Sequence, residues 1–234
     1  MKKTLIGMLM TLFLVSCGPS VNPQLKAKIE PYFGASGTQS FGVAKKFFAP
    51  MPLAVGQYVV HGIIEKNGTR SVMRTAIVGR EMGGWIFEYY NLTEKQEAVT
   101  QMLITGLDNV RKTGSIDDIE IVWVKIRDEN GQVQKIEGPM MAMMRGLYKN
   151  NLAGLDTKTT AYVDGGVIKV PAGSFAGTNT FVTETSIMGR KYKSKGWFHS
   201  AVPINGMVKS VVDDGDSTME LLQFGLKGAT PILR

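Results

Sequence analysis

The sequence predicts a mainly β protein of the α+β kind: a single antiparallel curved sheet or half-open barrel with one or two covering helices. Three observations carry this. Apolar and polar residues alternate with period two in segments spread through both halves of the chain. Two Asn-Gly dipeptides, Asn67-Gly68 and Asn130-Gly131, sit between such segments and are the strongest short hairpin signal. Many further short β-prone runs are punctuated by glycine turns, the pattern of a sandwich or partly closed barrel. No internal repeat interrupts them, so residues 24–234 are expected to form one domain.

The first 23 residues stand apart. Met1-Lys2-Lys3 is a short positive stretch, and Thr4 to Phe13 is almost wholly apolar. That order is a secretory signal peptide. The apolar run falls short of the roughly 20 residues that span a bilayer. Leu14-Val15-Ser16-Cys17 then resembles the lipobox of bacterial lipoprotein precursors. The resemblance implies that residues 1–16 are removed, that Cys17 receives a diacylglyceryl group on its sulfur, and that its new amine is acylated. A thiol suits thioether formation, and the small Ser16 leaves room for a peptidase. Each buried methylene contributes about 0.8 kcal/mol and one chain alone binds marginally, so several chains on one residue make a durable anchor. The implied partners are the membrane and the lipoprotein processing and sorting machinery. Gly18 follows the cysteine where an Asp would mark inner-membrane retention, so the resemblance implies the outer membrane. Residues 17–23 read as the lipidated cysteine and a tether.

Beyond the tether, Leu25, Ile29 and Phe33 recur every four residues and predict a helix over 24–33, with Pro31 spoiling its end. Residues 34–42 read as a loop, and 43–48 as a second short helix leaving through Pro50 and Pro52. Strands follow at 57–66 and 70–80 around Asn67-Gly68, with Val72, Arg74, Ala76 and Val78 on one face. Gly83-Gly84 turns the chain into 85–90, where Trp85, Phe87 and Tyr89 share one face and Ile86, Glu88 and Tyr90 the other. Residues 92–107 fit either a helical stripe or a strand over 100–105. Strands over 119–127 and 133–137 flank Asn130-Gly131. Pro139 then opens a helix over 140–152, proline being favourable at a first helical position. The remaining strands are expected at 159–163, 167–170, 173–185, 191–202, 207–212 and 219–224, with Gly165-Gly166 turning the chain between the first two.

The chain carries 27 Lys and Arg against 20 Asp and Glu, a formal charge of +7. Losing Lys2 and Lys3 reduces the 27 to 25 and the excess to +5. The basic residues form no dense run, and the expected compartment is the cell envelope, so nucleic acid is not an expected partner. Cys17 is the only cysteine, so no internal disulfide is available in a compartment that permits them.

No motif carries catalysis. His61 and His199 are too few for a zinc site without carboxylates at defined spacing. His199 and Ser200 are neighbours on a strand and point to opposite faces, so the ring is badly placed to activate the hydroxyl. No G-x-S-x-G elbow occurs. Asp213-Asp214-Gly215-Asp216 lacks the spacing and closing Glu of a calcium loop and reads as an acidic turn. No enzyme activity, metal or cofactor is therefore expected.

Two groupings suit an apolar ligand. Trp85, Trp123 and Trp197 are candidates to line a concave pocket, with the core of a curved sheet as the favoured reading. Met140, Met141, Met143 and Met144 crowd one short segment, and flexible thioethers suit an adaptable lid over such a pocket. In the alternative, Met140, Met144 and Leu147 are core, with Met141 and Met143 incidental.

A last pattern covers about the final 65 residues. Val170-Pro171-Ala172-Gly173-Ser174-Phe175, Trp197-Phe198-His199-Ser200-Ala201-Val202-Pro203 and Val208-Lys209-Ser210 resemble a pattern of uncharacterised bacterial envelope proteins. Some of these are similar to the half-open barrels of lipoprotein-localisation factors of the LolA/LolB type. The resemblance implies a bend at Gly173 and Trp197 on the concave face. The expected function is thus a membrane-anchored, non-catalytic envelope lipoprotein that binds an apolar or lipid-like ligand through Trp85, Trp123, Trp197, Met140 and Met144. The alternative is a structural lipoprotein docking onto another envelope protein, and an envelope hydrolase is third.

Overall fold

The computed structural model describes residues 21–34, 37–43, 51–109, 118–127, 131–141, 156–187, 190–213 and 216–234. Cys17, Met144, Leu147 and most of the segment expected as a second helix lie outside these residues. The protein is mainly β, as the alternation predicts: a single mixed sheet of 12 strands, not closed into a barrel.

Helix α1 spans Pro23–Phe33. Asn22 caps it, its side-chain Oδ1 accepting from Gln24 N at 2.9 Å, and Pro23 occupies a first-turn position where it has no hydrogen bond to lose. Pro31 does not end it, and the helix runs on through Phe33. The strands are β1 (Ser40–Phe41), β2 (Tyr58–Glu65), β3 (Arg70–Glu81), β4 (Gly84–Thr93), β5 (Glu97–Thr105), β6 (Glu120–Arg127), β7 (Val133–Glu137), β8 (Asp156–Val170), β9 (Gly173–Ile187), β10 (Arg190–Phe198), β11 (Met207–Val212) and β12 (Ser217–Gly225). Neighbours run β9-β10-β11-β12-β2-β3-β4-β5-β6-β7, with β8 along one side of β9 and β1 beside the start of its other side. Every pair is antiparallel except β1 with β9.

The turns follow their residue types. Glu65 N donates to Thr69 O at 3.0 Å, closing the Asn67-Gly68 hairpin. Met82-Gly83 form a two-residue loop between the paired Glu81 and Gly84, and both have positive φ, 49° and 73°. The ambiguous 92–107 segment contains strand β5. Residues 34–42, expected as a loop, contain the two-residue strand β1. The expected turn at Gly165-Gly166 is absent. Residues 156–170 form one strand, and shifts of register around Gly166 absorb the glycine pair as bulges. The strand expected over 191–202 ends at Phe198.

The sheet curls. β9 and β12 are three strand spacings apart, about 14 Å in a flat sheet. Yet Ala172 N, in the β8–β9 turn, donates to Leu221 O of β12 at 3.0 Å, and the Phe175 and Phe224 rings lie 6.1 Å apart. The side enclosed by this curl is the inner face. Val59, Phe175, Val202, Val208 and Leu221 are buried together there. Further along it, Ile77, Trp85 and Phe87 form a second buried cluster, and Ile204 packs against both. The outer face carries α1, whose Ile29 joins Val60, Val72, Leu92 and Leu222. Close approach of the helix needs Gly62: a Cβ there would lie 2.6 Å from Phe33 Cε1.

Candidate functional site

The register decides what the tryptophans can do. Residues opposite each other in an antiparallel pair share a face. Trp197, Lys209, Glu220, Gly62 and Val72 are linked by successive pairings, so Trp197 shares the outer face with Val72. Trp123 pairs with Leu103 and Leu103 with Ile86, which also places Trp123 outside. Trp85 lies on the inner face in the Ile77–Phe87 cluster. Trp123 and Trp197 stand on strands seven neighbours apart. The three therefore do not line one concave pocket, and Trp197 is not on the concave face. Strand alternation, not aromatic content, assigns the faces.

Each ring instead has cations over it. Lys125 Nζ and Lys135 Nζ lie 5.1 and 5.6 Å from the Trp123 centroid, and Lys195 Nζ lies 4.8 Å from that of Trp197. Arg80 covers Trp85 at 4.5 Å, while Trp85 Nε1 donates to Asp108 Oδ1. The methionine segment begins as helix at 139–141. Met140 is 56% exposed and Met141 is fully buried, the reverse of the expected division between core and incidental positions. Met143 and Met144 lie outside the described residues.

The inner face is filled from within the chain. Segment 199–206 lies between β10 and β11 and sends Val202 and Ile204 into the clusters. Leu53 adds to the second cluster, and Gln57 fixes its loop by donating to Pro52 O and accepting from Ala54 N. Both histidines lie in this region and both are buried. His61 Nε2 is 3.1 Å from Met207 O, and burial pushes its ring below the ordinary histidine range. His199 Nε2 is 2.7 Å from Gly42 O, while its Nδ1 accepts from Ala201 N at 3.1 Å. With both nitrogens committed, His199 has no lone pair to take a proton from Ser200. Among the described residues, no three His, Cys, Asp or Glu side chains come together to hold a metal. In the acidic run, Asp213 Oδ1 accepts from Lys193 N and Asp216 Oδ1 pairs with Lys66, so the two carboxylates serve different partners.

An open apolar groove of about 700 Å³ lies elsewhere, where the end of α1 meets the β8–β9 turn. Tyr32, Pro171, Ala172, Leu222 and Phe224 line it, with Gln39 at its polar side. Of the residues expected to bind a ligand, the four among the described residues, Trp85, Trp123, Trp197 and Met140, do not border it. Its apolar lining comes from the β12 bulge between Leu221 and Gln223, which turns Leu222 and Phe224 toward different faces.

A second feature escaped the sequence reading. Glu88 is fully buried on the outer face of β4. Its Oε1 accepts from Arg74 Nη1 at 2.9 Å. Its Oε2 accepts from Gln101 Nε2 and from the backbone of Ile232 and Leu233, at 3.0, 2.8 and 3.0 Å. Arg74 and Arg127 donate onward to Thr230 O and Ile232 O, and Gln101 to Leu233 O. The last residues of the chain are thus clasped across β3–β6, mostly through their main chain. The legible signal was a lone charge within the aromatic run Trp85 to Tyr90.

Among the described residues, no helix is long and apolar enough to cross a membrane. Compared with known proteins, the chain matches no family model and no curated protein.

Proposed function

We propose that this chain is an envelope lipoprotein, anchored through acyl chains on Cys17, that works by docking onto another envelope component rather than by catalysis. The anchor rests on the order of charged stretch, apolar stretch and Leu14-Val15-Ser16-Cys17. Gly18 favours the outer membrane. The observation that selects docking over lipid carriage is the filled inner face: Phe175, Val202 and Ile204 occupy the space an acyl chain would need.

A second reading has its own observation. The groove beside α1 is apolar, and Tyr32, Leu222 and Phe224 would suit one lipid-like chain or one apolar side chain of a partner.

Two measurements test this. Cys17→Ser should move the protein from the detergent-rich to the aqueous phase in detergent phase separation, and unchanged partitioning would end the anchor reading. Native mass spectrometry of the purified protein should find no lipid held by the folded domain. Stoichiometric lipid that is lost on Phe224→Asp would replace docking by binding in the groove.

A further inference from the structure

We propose that His61 and His199 form a latch that holds the 199–207 segment over the inner face, and that the latch opens in acid when the His61 ring takes up a second proton. The segment is a plug. His199 N donates to Gly206 O at 2.8 Å and Val202 N to His199 O at 3.1 Å, closing it into a compact turn. Val202 is buried, and Ile204 touches both inner clusters. Ile204 has φ of 67°, a left-handed conformation that a β-branched residue adopts only when its surroundings enforce it. The segment is therefore held by its fastenings and not by its own preference.

The chain has two histidines, and each fastens one end. His61 on β2 reaches across to Met207 O, where the plug returns to β11. A carbonyl only accepts, so His61 Nε2 carries the hydrogen and Nδ1 is bare. That Nδ1 is buried with no partner. His199 likewise donates from Nε2, to Gly42 O, and its bare Nδ1 accepts from Ala201 N inside the plug. Both rings are thus neutral in the closed arrangement. A second proton must go to Nδ1. On His61 it would bring a buried charge with nothing to receive its hydrogen.

The groups facing the rings are apolar. Across the strands, His61 meets Met73 and Leu221, with Val59 and Ile63 beside it on its own face of β2. His199 meets the rings of Phe175 and Phe41 at 5.3 and 6.5 Å. Among the described residues, the nearest ion pair on these strands, Lys209 with Glu220, is on the outer face. Among the described residues, the carboxylate on this face of β2 is Glu65, which stands exposed at the strand end, four residues from His61, and accepts from Ser217 Oγ. Burial holds His61 below its ordinary value, so the open form takes up its proton first as pH falls through about 6.5. Closure is then favoured above about pH 6.5 and weakens below it.

The test uses the full chain in detergent and compares amide-exchange protection factors at about pH 7.5 and about pH 5. Protection at Ala201, Val202 and Met207 should fall about tenfold on acidification, while β3 and β4 keep theirs. The double variant His61→Gln, His199→Gln keeps a donor near each Nε2 but does not titrate, so its protection should stay level. Wild-type protection that does not change, or a fall of equal size in the double variant, overturns the latch. Should that variant not fold, the wild-type ring resonances decide. The Met207 amide signal should move with the His61 ring protonation curve, and a signal that stays fixed while that ring titrates overturns the latch as well.

Discussion

The two faces of the sheet are closed by opposite chemistry. On the outer face, the C-terminal residues are clasped by a buried carboxylate, Glu88, with Arg74, Gln101 and two backbone amides as its donors. On the inner face, the 199–207 segment is fastened by two neutral imidazoles among aromatic and aliphatic side chains. A buried ionised group persists only where its hydrogen bonds are all made, and Glu88 satisfies this with four. A buried neutral ring avoids the desolvation cost but depends on staying neutral. The outer closure is a fixed structural bond, whereas the inner one responds to its surroundings.

The largest expected effect breaks the outer closure. Glu88→Ala removes the acceptor shared by Arg74 Nη1, Gln101 Nε2 and the amides of Ile232 and Leu233, and leaves the two amides without a partner. It should lower stability by about 3–5 kcal/mol in urea denaturation and expose residues 229–234 to proteolysis. A loss under about 1 kcal/mol would mean that the clasp contributes little and the tail is held by Leu233 alone.

Next comes the packing of the inner face. Leu221→Ala should cost about 2–5 kcal/mol, because Leu221 is fully buried against Phe175, Val59 and Val208 and its neighbours belong to separate strands that cannot all collapse. A loss below about 1 kcal/mol would indicate loose packing, and the inner face would regain the role of a ligand cavity.

The third effect is set by pH. His61→Gln should cost little at neutral pH, since the amide keeps a donor for Met207 O. It should also remove up to about 2 kcal/mol of the wild-type loss between about pH 6.5 and pH 5. The sign follows from burial: the folded ring binds its proton less readily than the unfolded one, so stability is present above about pH 6.5 and declines as pH falls. Denaturation midpoints at a series of pH values would read this directly.

What the sequence made legible was periodic and local. Alternation located ten of the twelve strands at least in part and left β5 open between helix and strand, and Asn67-Gly68 fixed a hairpin, because both signals act within a few residues. The helix over Pro23–Phe33 followed from Leu25, Ile29 and Phe33. The faces were legible within a strand, as for Trp85, Phe87 and Tyr89, but not between strands. Whether Trp197 and Trp85 share a face depends on pairings across six strands, which no local pattern encodes. The same holds for the clasp, where Glu88 meets residues more than 140 positions away. Gly165-Gly166 misled for a related reason: the same pair suits a turn or a bulge, and pairing with β9 decides.

The smallest expected effects sharpen the contrast between buried and exposed backbone. Met82 and Ile204 both adopt the left-handed conformation, with φ of 49° and 67°. Met82 sits at the tip of the β3–β4 hairpin, 73% exposed, and no packing requires its side chain. Met82→Asn would give an Asn-Gly loop, the pair that suits two successive positive φ values. It should stabilise the protein by about 0.5–1 kcal/mol, since asparagine tolerates that conformation at lower cost. Ile204→Asn brings the same backbone relief but removes a side chain that packs on both inner clusters and places an amide against them. Its loss of packing should exceed the relief, so it should destabilise by about 1–2 kcal/mol. Opposite signs from one substitution at two left-handed positions would show that the packing of Ile204 helps the fastenings hold the plug in its strained form. If Ile204→Asn were stabilising too, the segment would owe its place to hydrogen bonds and not to Ile204.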